Sequence, residues 1–282
     1  MTIAKLNNTE IYYDEHGSGV PFLVMHGGLG IDHSYFRPAI DPLGDIFKLI
    51  FYDHRGEGRS GRPPFNTITL EQLADDANSL RKILGYKNIG LIGHSFGGSV
   101  ALHYATLHPK KISYLILMNA SPAFDYWEEV MKHIMQKNLT PEMRETLNAP
   151  VDRTIEGFRK QFKITAPLYF YRYNSEMEKL INKILKKMIL NPETAALNET
   201  ILPNYNVLSK LTEIEIPTLI LAGKNDIITP LSQAQRIYKK IPNSELHIFE
   251  KSGHYPFYEE PNEVFGVIRG WFKKVYHKQD IH

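Results

Sequence analysis

Three residues of this 282-residue chain combine types and settings that point to chemistry: Ser95, Asp226 and His254. Ser95 is the centre of a G-x-S-x-G pattern filled by Gly93, Ser95 and Gly97, with Gly98 behind it. A serine hydroxyl is a weak nucleophile at neutral pH. It needs a base to take its proton, and the base needs a partner that fixes its tautomer. His254, between Gly253 and the aromatic-rich Tyr255-Pro256-Phe257, supplies a base. Asp226, closing Gly223-Lys224-Asn225-Asp226, supplies the partner. Together they could open a carbonyl compound through an acyl-enzyme. A base of this kind makes activity fall in acid as its imidazole protonates. Such chemistry also needs donors for the oxyanion. The backbone N–H of Phe96, just after the nucleophile, is one, and Gly28 in His26-Gly27-Gly28-Leu29-Gly30 is the other. That glycine loop lacks the G-x-G-x-x-G spacing and the lysine of a phosphate loop, so a nucleotide site is a weak reading of it.

The elements that must position these groups are legible around them. Ile89 to Ile92 is a short apolar run, and a helical pattern with Val100, Leu102 and Tyr104 follows the motif. Strand, glycine turn and helix are the context in which this pattern makes a strained elbow, with the hydroxyl raised above the sheet. The flanking glycines are expected because a side chain would clash in so tight a turn. Other continuous apolar runs are Pro21–Met25, Phe47–Tyr52, Ile112–Met118 and Ile216–Ala222, with Ser244–Phe249 last. Alternating with helices, they predict a mostly parallel α/β sheet covered on both faces. Residues 2–15 alternate about Asn7-Asn8 as an edge hairpin. Residues 69–84 form an amphipathic helix capped by Thr69 and stopped at Gly85, with packing as its only expected role. Residues 261–276 are a closing helix with Val264, Phe265, Ile268, Trp271, Phe272 and Val275 on its apolar stripe. Asp53, in Asp53-His54-Arg55-Gly56-Glu57-Gly58-Arg59-Ser60, is expected to hold the Arg55 loop.

Residues 121–206 differ. They show no convincing buried strand, are rich in aromatics and methionine, and are punctuated by prolines. They are expected to form a helical cap inserted between core segments 1–120 and 207–282. Tyr126, Trp127, Glu193, Ile227 and Tyr255 are candidates for the pocket beneath it.

Composition narrows the classes. The chain is 43% hydrophobic and 23% charged with a formal net charge of +2, so it is globular without a basic block for nucleic acid or a membrane surface. It has no cysteine, which removes disulfides and thiolate metal sites and suits a cytoplasmic setting. The N-terminal stretch lacks a signal-peptide core and no apolar run approaches the roughly 20 residues of a membrane span. Lys273, Lys274, His277 and Lys278 read as a solvated helix end. No cofactor and no metal are expected. The oligomeric state is open.

Over nearly its full length the chain resembles the α/β-hydrolase superfamily. The pieces that carry the resemblance are His26–Gly30, Asp53–Ser60, Gly93–Gly98, Gly223–Asp226 and Gly253-His254, in the order Ser, Asp, His. The early loop is similar to that of proline iminopeptidases, and carboxylesterases match as well. The resemblance implies a serine hydrolase acting on a small ester, lactone, amide or short peptide. Iminopeptidases as a family grip a free amino group with acidic residues. One commonly follows the triad aspartate, where this chain has Ile227, and they favour tryptophan where it has Phe96. Glu193 or Glu199 could replace that grip. Carbon–carbon bond hydrolases, haloperoxidase-like enzymes and a non-catalytic small-ligand receptor share the scaffold. Dehalogenases use aspartate where Ser95 stands.

Overall fold

The computed structural model describes residues 2–279, with side chains to residue 276; those of His277 and Lys278 lie outside the described residues. Eight strands form one sheet: β1 (Thr2–Leu6), β2 (Thr9–His16), β3 (Val20–Met25), β4 (Phe47–Tyr52), β5 (Ile89–His94), β6 (Ile112–Met118), β7 (Thr218–Gly223) and β8 (Ser244–Phe249). Their spatial order is β1-β2-β4-β3-β5-β6-β7-β8. β1 pairs antiparallel with β2, and β2 with β4. All other pairs are parallel. The predicted edge hairpin is β1–β2, turning through Asn7 and Asn8, both at positive φ.

The helices are α1 (Leu70–Ile83), α2 (Phe96–Leu107), α3 (Trp127–Met135), α4 (Pro141–Asn148), α5 (Ile155–Thr165), α6 (Ser175–Lys187), α7 (Pro192–Ala195), α8 (Asn198–Ile201), α9 (Leu231–Tyr238), α10 (Pro256–Glu259) and α11 (Pro261–Gln279). α1 begins where its cap was expected: the Thr69 hydroxyl accepts from the Gln72 N–H at 3.1 Å, and Gly85 beyond its end has φ +80°.

Strand periodicity divides the core. Leu23 and Met25 of β3 pack with α1, α2 and α9 on one face. Their neighbours Phe22 and Val24 pack on the other face with α6 and α11. Successive side chains of a strand point to opposite faces, so a strand apolar throughout needs helices on both sides. All six stripe residues of α11 are buried in the second cluster. The strand order also places the site. From β3 the chain steps outward to β4, then crosses back to β5 on the other side of β3. The loops after β3 and β5 therefore leave in opposite directions, and a crevice opens at their carboxyl ends.

Between β6 and β7 the described residues form α3 to α8 with short 3₁₀ turns, and one isolated bridge, Ala123–Asn206. Phe124 donates to the Tyr205 carbonyl at 3.1 Å and Val207 to the Pro122 carbonyl at 2.9 Å. The segment thus departs and returns through a single tied point. It has a small apolar cluster of its own, built on Tyr126, Val130, Ile134, Met143 and Leu168, and Ile227 packs into it.

Asp53 ties the Arg55 loop at its far end, accepting from the Arg59 N–H at 2.8 Å and, through its carbonyl, from the Ser60 hydroxyl at 2.6 Å. Its carboxylate also accepts from the His33 Nδ1 at 2.6 Å, and it does not pair with Arg55 itself. Arg55 turns to α1, where its Nη2 donates to Asp76 at 2.7 Å in a buried pair. The helix assigned only to packing therefore carries a buried carboxylate. A buried guanidinium needs one, and α1 is the element lying next to it.

Candidate active site

The elbow has the strained geometry expected of it. Ser95 has φ 55° and ψ −122°, a region that costs a non-glycine residue on the order of 1–3 kcal/mol. Tertiary neighbours impose the strain. A Cβ on Gly97 would lie 2.1 Å from the Met25 carbonyl oxygen, and one on Gly93 would lie 2.6 Å from that of Gly97. A Cβ on Gly27 would meet the Ser95 Cβ at 2.9 Å, so the loop after β3 rests directly on the serine. Glycines let α2 close onto β3 and β5, and the serine is left at the rim. Ser95 stays partly accessible while the residues around it are buried.

His254 follows β8 and Asp226 follows β7. The His254 Nδ1 lies 2.8 Å from the Asp226 Oδ2, with side chains 3% and 0% exposed. A carboxylate only accepts, so Nδ1 carries the proton and Nε2 keeps its lone pair. Both oxygens of Asp226 are occupied. Oδ2 also accepts from the Asn119 Nδ2 at 2.6 Å, and Oδ1 accepts from the N–H groups of Ile228 (2.8 Å) and Thr229 (3.0 Å). Asn119 follows β6 at φ 48° and also donates to the Gly253 carbonyl at 3.2 Å. It bridges the aspartate to the residue before the histidine. Sequence reasoning passed over it, although an asparagine directly after a buried strand, tolerant of a left-handed turn, was a usable signal.

A second relay joins the histidine to the glycine loop. The Gly27 N–H donates to the Tyr35 hydroxyl at 2.7 Å, and that hydroxyl lies 2.8 Å from the His94 Nδ1. The His94 Nε2 lies 2.8 Å from the His254 carbonyl oxygen. The carbonyl accepts, so His94 is protonated at Nε2 and takes the tyrosine proton at Nδ1. Burial, then the nearby His254, holds the His94 pKa well below the usual imidazole range, so it stays neutral and the relay keeps one polarity. His94 was not singled out in the sequence, although its position inside the G-x-S-x-G motif was a usable signal. His26 and His54 lie with ring centres 4.2 Å apart and planes tilted by 46°, and burial lowers both pKa values.

The loop after β3 leaves one amide open. The Gly27 N–H is engaged by Tyr35, and the Gly30 N–H donates to Glu57 at 2.6 Å. The Gly28 N–H, at φ +65°, has no partner among the described residues. The Phe96 N–H is likewise open, as the first amides of a helix are, at the positive end of α2. Gly28, Ser95, Phe96 and His254 all line one cavity of about 380 Å³.

The cavity extends from the strand ends into the α3–α5 region, where Val130, Ile134, Leu147, Phe158 and Phe162 form its wall. Of the pocket candidates, Tyr126, Trp127 and Tyr255 line it, Trp127 at 55% exposure. Glu193 and Ile227 do not. α7 buries Pro192, Thr194 and Ala195, with Ala195 against Gly30 and the Thr194 hydroxyl donating to the Gly56 carbonyl, while Glu193 faces solvent. Ile227 points into the apolar cluster, and its neighbour Ile228 faces the cavity instead. Glu199 is exposed as well.

The segment above the sheet is stitched to the histidine loop. The His254 N–H donates to the Tyr169 carbonyl at 2.7 Å. The Glu259 carboxylate accepts from the Gly253 N–H at 2.7 Å and the Tyr171 N–H at 2.8 Å. Burial raises Glu259 from the ordinary 4.5 to about 7, against the pull of those donors. Among the described residues no cluster of three or more metal-ligating side chains occurs, and no helix is long and apolar enough to cross a membrane.

Known proteins share this arrangement at the level of fold and family. A proline iminopeptidase of Heyndrickxia coagulans is 28% identical over 276 residues, covering 93% of this chain and 94% of that one. An esterase of Thermogutta terrifontis superposes with a TM-score of 0.75 at 27% identity, covering 95% of this chain and 94% of the other. An esterase of Exiguobacterium antarcticum superposes at 0.78 and 24% identity, covering 96% and 98%, a likeness of fold. The alpha/beta hydrolase fold family matches residues 20–261, and with that match the chain belongs to this family and is a hydrolase.

Proposed function

We propose that the chain is a serine hydrolase that cleaves a small carboxylic ester, lactone or amide through an acyl-enzyme. The observation that carries this reading is the buried His254–Asp226 pair, whose imidazole keeps Nε2 free on the cavity that Ser95 faces. In the proposed reaction the Ser95 Oγ attacks the carbonyl carbon as His254 Nε2 takes its proton. Asp226 holds the imidazole in the tautomer this needs and stabilises the imidazolium. The amides of Gly28 and Phe96 receive the oxyanion, a role in which one donor is typically worth roughly 2.7–4 kcal/mol. The tetrahedral adduct collapses, the alcohol or amine leaves with the proton from His254, and an ester on Ser95 remains. Water, deprotonated by His254, then attacks that ester and releases the acid. In this reading residues 121–206 act as a cap that encloses the substrate over the sheet.

A fluorophosphonate probe tests the assignment. Covalent labelling located at Ser95 by peptide mass, and lost in Ser95→Ala, is the expected result. An unlabelled protein, or a label on another residue, removes it. Relatives that bear the name proline iminopeptidase supply the alternative reading, an aminopeptidase using the same residues.

A further inference from the structure

We infer that the cavity takes an electrically neutral, apolar acyl group and rejects a substrate bearing a free amino group beside its carbonyl. The inference rests on the acyl-transfer reading above. Among the described residues that line the cavity there is no Asp, Glu, Lys or Arg. The carboxylates nearby are committed elsewhere. Asp226 has both oxygens filled from His254, Asn119, Ile228 and Thr229. Asp125, exposed just before α3, accepts from both Nη atoms of Arg236 at 2.5 and 2.8 Å. Glu129 accepts from the Ser232 hydroxyl at 2.7 Å, and Glu259 faces backbone amides. Glu193 and Glu199 point to solvent.

Several hydroxyls in the wall are also engaged, which leaves those of Tyr169 and Tyr255 as the phenols facing the cavity. Tyr126 hydrogen-bonds the side chains of Ser121 and Thr229, the Tyr205 hydroxyl bonds that of Ser99, and the Thr165 hydroxyl donates to the Gln161 carbonyl at 3.0 Å. An ammonium entering this space would lose its water and find no anion and few open acceptors, a cost that grows as the cavity closes. The remaining wall is aliphatic and aromatic, and burying a matching acyl group against it is favourable. At about 380 Å³ the cavity lies near the small end of ligand pockets, so the acyl group is of modest size.

The discriminating pair is the β-naphthyl ester of cyclopentanecarboxylic acid against that of proline. The two rings have nearly the same shape and differ by one secondary ammonium. With the native protein at pH 7, and each rate normalised to spontaneous hydrolysis, kcat/KM is expected to favour the cyclopentane ester by about a hundredfold or more. The ratio should shrink towards pH 9 as the prolyl amine loses its charge. Equal or preferred cleavage of the prolyl ester overturns the inference while leaving the reaction intact. So does cleavage of neither ester by a protein whose Ser95 is labelled by fluorophosphonate. Absence of that labelling removes the reaction and the inference together, so the two failures are separable.

Discussion

The strand-end loops and the helical segment above them face the same cavity and are built on opposite principles. Below, the groups that hold the histidine are paired, although His54 Nδ1, Glu57 Oε2 and Asn119 Oδ1 have no partner among the described residues. Asp226, Asn119, His254, His94, Tyr35 and Gly27 form a connected set of hydrogen bonds in which neighbours lie 2.6–2.8 Å apart. Above, α3 to α5 meet the cavity with aliphatic and aromatic side chains, several only half-buried, in a cluster much smaller than those flanking the sheet. Hydrogen bonds are directional and fix atoms to fractions of an ångström, whereas apolar contacts are not directional and tolerate repacking. On the proposed reading, reactive geometry is therefore concentrated below and substrate shape above. The tie between them is short: the Tyr169 carbonyl on the His254 N–H, and the Glu259 carboxylate between Gly253 and Tyr171.

Substitutions on the two sides should differ in size and in kind. The largest effect belongs to the lower side. Ser95→Ala and His254→Ala are each expected to lower kcat on p-nitrophenyl butyrate by roughly 10⁴- to 10⁶-fold, and Asp226→Asn by about 10⁴-fold, with the fold intact by circular dichroism. A residual rate within tenfold of the parent for any of them would undo the comparison. Next comes Asn119→Ala. It removes a donor to an ionised group, worth roughly 1.5–3 kcal/mol, so kcat should drop about ten- to a hundredfold with little change in KM. A change in KM alone would assign Asn119 to the substrate.

The upper side should respond in selectivity. Phe158→Ala takes away wall contacts worth about 0.8 kcal/mol per methylene, so the preference for p-nitrophenyl octanoate over acetate should fall by roughly three- to fifteenfold. The rate on acetate should hold, and a parallel fall on both esters would contradict the division of labour. The smallest effect concerns the tie. Because the folded state raises Glu259 from 4.5 to about 7, it holds a proton that the unfolded chain has lost between those values. The stability this group contributes is full below pH 4.5 and declines as pH rises through 7. Thermal unfolding of the parent between pH 5 and 8 should therefore lose more than that of Glu259→Gln, measured as the difference between the two melting curves. Parallel curves would remove Glu259 from the pH response.

The sequence by itself determined the local pieces. Continuous apolar strands, the capped helix at 70–83, the stripe of α11 and the glycine elbow follow from periodicity and from the space a tight turn leaves, both readable over a dozen residues. That Asp226 and His254 come together was legible because each stands at the end of such a strand. Tertiary structure decided the rest. That Arg55 pairs with Asp76 and not Asp53, that Asn119 supports Asp226 across 107 positions and that His94 reaches the His254 carbonyl across 160 are choices among many polar residues. They are made only when separate strand ends come within hydrogen-bonding distance. The outward turn of Glu193 and the inward turn of Ile228 rest likewise on how α7 and the loop after β7 pack, because a few degrees of helix rotation exchange a wall residue for a solvated one. Spacing along a chain encodes period and turn; it does not encode which of many buried partners a side chain will meet.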